Sequence, residues 1–113
     1  MTRNAGAALT RTMRDRFETL RRREHVLLAD KVLEIVGIQR VKGRRVVTTA
    51  DMRAKEQELL ALLGEVRAYY TAVERQRLYK NNEHLGVSVA RLALSMAGHP
   101  LERLPGGGGF TVD

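Results

Sequence analysis

No cysteine occurs anywhere in the 113 residues, which excludes disulfides, thiolate zinc sites and a cysteine nucleophile. Tryptophan is missing too, and aromatic residues make up only 4% of the chain, so a core has to be assembled from Leu, Val, Ala, Ile and Met. No apolar run approaches the roughly 18 residues that a membrane span needs. No internal repeat is present. Acids are missing from residues 1–14. That Arg-containing start reads either as a transit segment or, since its pattern continues unbroken, as the beginning of a first helix. No secretory signal is expected in it. The compartment stays open, with the inside of a cell or of a virion or other particle expected.

What is present is cationic. The formal net charge is +7, with 43% hydrophobic residues, a share that suits one folded domain. Residues 1–47 hold 12 Lys/Arg against 5 Asp/Glu, whereas residues 48–113 hold 8 of each. The whole surplus therefore sits in the first part of the chain, beside a neutral remainder. A region of that kind attracts polyanions: nucleic acid, an acidic protein surface or an anionic membrane.

Residues 8–37 read as one long helix. At 100° per residue, Leu9, Met13, Phe17, Leu20, Leu27, Leu28, Ile35 and Ile38 share one sector about 100° wide, interrupted by Glu24 and Lys31. Arg11, Arg14, Arg21 and Arg22 lie on the opposite side, and Arg16 and Arg23 flank the stripe. From Val26 onward the helix is apolar nearly all round. Val26, Val32, Leu33 and Val36 point away from the stripe, which predicts burial in the protein's own core or by a partner. The first half is thus expected on the surface and the second half inside, with Gly37 ending the helix. In Arg40–Val47 the β-branched residues on either side of Lys42-Gly43 predict a short basic hairpin, with an irregular loop as the alternative.

A second long helix is expected from about Ala50 to Lys80. Met52, Leu59, Leu62, Leu63, Val66, Tyr69, Tyr70 and Val73 form its stripe, and Asn81-Asn82 form its end. A third helix, apolar around most of its circumference, is expected from about Glu83 to Ala97, before the stop signal Gly98…Pro100. The expected fold is all-α. It is a three-helix bundle with two long antiparallel helices, a basic hairpin or loop between them, and one helical domain over residues 1–105. Residues 106–113 are expected to form a flexible Gly-rich tail, with Phe110 as either a docking hook or part of a disordered end.

Chemistry is sparse. His25, His84 and His99 show no i,i+3 or i,i+4 pairing with one another. The adjacent pairs Glu24-His25 and Glu83-His84 make a poor metal pattern, so no metal and no cofactor are expected. Gly106–Gly109 lacks the Lys-Ser/Thr of a phosphate loop. Ser88 lies four residues after His84 and Ser95 four residues before His99, but neither has an acid at that spacing to complete a triad, so no enzyme is expected. Tyr79, among Arg75, Arg77 and Lys80, suits base stacking less well than packing. The cations remain. Arg11, Arg14, Arg21 and Arg22 span about 16 Å of helix at 1.5 Å per residue, and Arg40, Lys42, Arg44 and Arg45 crowd one turn. Both clusters suit contact with nucleic-acid phosphates, DNA and RNA alike. The expected function is a non-enzymatic, nucleic-acid-backbone-binding protein within a larger nucleoprotein assembly. The alternative is a structural subunit of a capsid, ribosome-like particle or filament whose cations meet acidic protein neighbours. Val26, Leu33, Val36 and Phe110 are the expected partner contacts of a homo- or hetero-oligomer. A membrane-surface helix suits the charge-interrupted, Trp-free stripe less well.

Overall fold

A computed structural model of the chain describes residues 3–79 and 84–113, with side chains from residue 11 onward. The expected helix ends at Lys80, Asn81-Asn82 and Glu83, and the side chain of Leu9, lie outside the described residues.

The architecture is α+β, which corrects the expected all-α bundle. A helix of 34 residues, α1 (Arg3–Val36), leads into strands β1 (Gln39–Val41) and β2 (Arg44–Thr48). Four short helices follow: α2 (Thr49–Ala54), α3 (Glu56–Leu60), α4 (Leu63–Tyr69) and α5 (Ala72–Gln76), with a 3-10 turn at Arg77–Tyr79. Then come α6 (Leu85–Met96), β3 (Glu102–Arg103) and β4 (Gly109–Thr111). The four strands form one antiparallel sheet in the order β1-β2-β4-β3.

Helix α6 is the centre of the body. It packs against α1, α2, α3, α4 and the 3-10 turn, and Val87, Val89, Ala90, Leu92, Ala93 and Leu94 along it are all buried. Its largely apolar circumference is what allows most of it to be enclosed, with only Ser95 left exposed.

The expected second long helix is broken into pieces. The Thr48 hydroxyl caps α2 by accepting from the Asp51 N–H at 3.1 Å. The chain leaves helical geometry at Tyr70, where ψ is 141°. It restarts with a capping box. Thr71 Oγ1 accepts from the Glu74 N–H at 3.2 Å, and Glu74 accepts from the Thr71 N–H at 2.8 Å. Stripe positions before the break are buried or half-buried, as at Met52, Leu59, Leu62, Val66 and Tyr70. After it, Val73 is 72% exposed.

The Gly-rich end is the second correction. Rather than a flexible tail, it is a hairpin turn followed by an inner strand. β4 pairs with β2 through Val46–Thr111, Val47–Phe110 and Thr48–Gly109, and with β3 on its other side. Gly109 has φ +146°, and a Cβ there would stand 2.8 Å from the Thr48 Cα and against the Val47 carbonyl. Only glycine allows the two strands to approach this closely. Phe110 and Val112 are 3% and 1% exposed, so Phe110 is a core residue and not a tethered hook.

The β1–β2 hairpin turns on Lys42-Gly43. Both residues have positive φ, 52° and 79°, the two-residue geometry whose twist matches the flanking strands.

Helix α1 divides into two halves. His25, Leu28, Ala29, Val32 and Val36 are buried and share a sector about 100° wide. In the first half that same sector is occupied by Arg11, Arg14, Glu18 and Arg21. The apolar stripe read from periodicity lies on the other side. Met13, Phe17, Leu20 and Leu27 are 70%, 60%, 57% and 44% exposed. The core face of the helix therefore becomes charged before residue 25, and the helix leaves the body as an arm. This explains a longest dimension of 60 Å against 27 and 22 Å across.

Candidate nucleic-acid interface

Of the eight cations expected to meet phosphate, two are engaged within the protein. Arg21 is the hinge pin between arm and body. Its Nη2 donates to Glu74 Oε1 at 2.7 Å and Oε2 at 3.0 Å, and its Nε donates to the Tyr69 carbonyl at 3.2 Å. His25 Nε2 donates to the same carbonyl at 3.1 Å, and its ring meets Tyr70 edge-on at 4.2 Å. Burial acts to raise the Glu74 carboxyl. The Thr71 backbone N–H, the Arg21 guanidinium and nearby His25 overcome it and hold Glu74 below the usual carboxylate range. Burial, reinforced by the charge of Glu74, pushes the Tyr70 phenol well above its ordinary value. The break after Tyr69 thus supplies a carbonyl, and the cap of α5 supplies a carboxylate, to one arginine of α1.

Arg44 is engaged more loosely at the sheet surface. Its guanidinium lies 3.2 Å from Glu102 Oε2 and 3.9 Å from Asp113 Oδ2.

The other six have no carboxylate partner among the described residues. Arg11, Arg14 and Arg22 are exposed on the arm, together with Arg16 and Arg23. Arg40 and Lys42 are exposed at the β1–β2 hairpin, and Arg45 is half-buried beside them. The two clusters are not one patch. Residues 22–36 of α1, about 21 Å of helix, separate the last arm arginine from the strand that leads to the turn. The arm cluster looks toward the side on which the body packs. There Arg21, Arg22, His25, Glu74 and Met96 line a corner of about 240 Å³.

No protein-family model, curated protein or solved structure matches the chain.

The expected partner contacts divide in the same way. Val36 and Phe110 are buried in the protein's own core and Leu33 packs against it, while Val26 is 48% exposed. The histidines are scattered: His25 lies under the arm, His84 stands at the N-terminal boundary of α6 without a side-chain cap bond, and His99 Nδ1 donates to the Val112 carbonyl at 3.2 Å. Among the described residues no three His, Asp or Glu side chains gather as a metal ion needs. No helix among them is long and apolar enough to cross a membrane.

A further cationic locus was not legible from spacing. Arg53 of α2, His84 just before α6, Arg91 of α6 and Arg103 of β3 line a cavity of about 200 Å³, with Phe110 and Gly109 at its wall and no carboxylate among the described residues that line it. Its members lie up to 50 positions apart, and only the folding of β4 against β2 brings them together.

Proposed function

We propose that this is a non-enzymatic protein that binds the nucleic-acid backbone, with Arg11, Arg14 and Arg22 of the arm and Arg40, Lys42 and Arg45 of the hairpin as its phosphate contacts. The observation that carries this reading is the contrast among the arginines. The side chains of Arg11, Arg14 and Arg22 on the arm and of Arg40, Lys42 and Arg45 on the hairpin have no carboxylate partner among the described residues, while Arg21 and Arg44 are ion-paired. Cations on projecting elements neutralise phosphates and release condensed counterions, a mode of binding that is indifferent to base sequence and steeply dependent on salt. The separation of the clusters along α1 makes them two footholds, which suits a protein bridging an extended polyanion inside a nucleoprotein assembly.

The test is a titration against a mixed-sequence duplex and a single strand at two salt concentrations, on the native chain and on Arg40→Glu/Lys42→Glu/Arg45→Glu. The reading expects affinity to fall steeply with salt and the triple variant to bind far more weakly with unchanged helicity. Salt-independent binding, or none at low salt, overturns it. The apolar strip exposed on the arm favours a second reading, a subunit seated against protein neighbours in a particle. A defined hetero-assembly without nucleic acid is its signature.

A further inference from the structure

The arm carries a second feature that phosphate contact does not use. Met13, Phe17, Leu20 and Leu27 succeed one another at intervals of four, three and seven residues. This is the alternation of the d and a positions of a heptad, with Glu24 at the intervening a position. All four are between 44% and 70% exposed. They lie away from the sector through which α1 joins the body, and none of the described residues covers them. The helix itself is pre-formed, because its second half is clamped in the core. A partner therefore meets an ordered seam and bears no nucleation cost on this side.

The residues flanking the seam decide what can occupy it. Arg14 and Arg21 fall at e positions, and Arg16 and Arg23 at g positions. In a parallel pair of identical arms, Glu24 of one copy meets Glu24 of the other at the a position. In an antiparallel pair, Arg16 faces Arg23. Either self-pairing sets like charges against each other across a desolvated seam, an arrangement that works against the homodimer. A helix with apolar a and d positions and Glu or Asp at e and g has the opposite complement. It covers Met13, Phe17 and Leu20 and meets Arg14, Arg16 and Arg23 with carboxylates.

From this we infer that the seam Met13–Leu27 is the docking site for an acidic amphipathic helix of a different chain, forming a heterotypic coiled coil with the arm. The inference goes beyond the phosphate-binding reading and stands on the apolar seam, with Arg14 at its edge the one residue shared by both.

The test uses two labelled synthetic peptides about three heptads long. One has Leu at a and d and Glu at e and g. The other carries the same charges but Ser at a and d. Binding to the full chain is read by fluorescence anisotropy, with sedimentation of the protein alone alongside. The Leu peptide is expected to bind at least about tenfold tighter than the Ser peptide, and Phe17→Ser/Leu20→Ser is expected to remove that preference. Because both residues are exposed, the double variant should keep the native circular dichroism and the native salt dependence on duplex DNA. Equal binding of the two peptides overturns the inference, since the arm would then be a polyanion site only. An unchanged preference in the double variant overturns it as well. So does a homodimer of the native chain that the double variant dissolves.

Discussion

The two halves of α1 are one unbroken helix with opposite fates. Residues 25–36 send His25, Leu28, Ala29, Val32 and Val36 into the core, while every described side chain from residue 11 to 20 is exposed. The difference is not in the amount of apolar surface, since both halves carry an apolar stripe. It lies in what occupies the sector that faces the body. In the second half that sector is aliphatic. In the first half it holds Arg11, Arg14, Glu18 and Arg21, and desolvating those charges against the body would cost more than the packing returns. A single arginine, Arg21, is accepted at the boundary, because Glu74 and the Tyr69 carbonyl are waiting for it. The arm exists because charge continues the core face.

The contrast can be broken most severely from the body side. Phe110→Ala removes a fully buried ring from the inner strand and should cost about 3–5 kcal/mol in urea unfolding. A chain whose last eight residues were a loose tail would lose almost nothing. Next in size is the boundary. Glu74→Gln keeps an acceptor for the Thr71 N–H but leaves the half-buried Arg21 without its counter-charge, for an expected loss of about 1–3 kcal/mol. Its pH dependence has a definite sign. Glu74 is held below its unfolded value, so its contribution is complete above the ordinary carboxylate range, about pH 4, and is lost as pH falls through the folded value. Acidification should therefore destabilise the native chain more than the Gln variant over that window. The smallest effect belongs to the arm. Arg11→Gln/Arg14→Gln/Arg22→Gln should shift unfolding by no more than about 0.5 kcal/mol, because none of the three is ion-paired among the described residues.

Much of this was legible in the letters. The length and surface exposure of the first half of α1, the burial of α6 and the turn at Lys42-Gly43 follow from periodicity and glycine placement. The face of α1 did not, because the longest apolar stripe was read as the core stripe. The stripe through Phe17 and Leu20 turns out to lie on the outer side. The break at Tyr70 was announced by Thr71-x-x-Glu74, a capping-box spacing masked by the continuous stripe from Met52 to Val73. The fate of Gly106–Gly109 depended on a long-range fact: Val46 and Val47 of β2 needed a neighbour, and Phe110-Thr111-Val112 could supply one only if a glycine preceded it. The cluster of Arg53, Arg91 and Arg103 depends on the same pairing.

The most direct measurement compares salt slopes. The affinity for a mixed duplex is followed against salt concentration for the native chain, for Arg11→Gln/Arg14→Gln/Arg22→Gln, and for Arg21→Gln. Loss of the unpaired arm cations should lower the slope by about one unit for each phosphate contact removed, while loss of Arg21, already neutralised by Glu74, should leave it unchanged. A slope unaltered by the arm substitutions, or altered equally by Arg21→Gln, would contradict the division of the arginines on which the account rests.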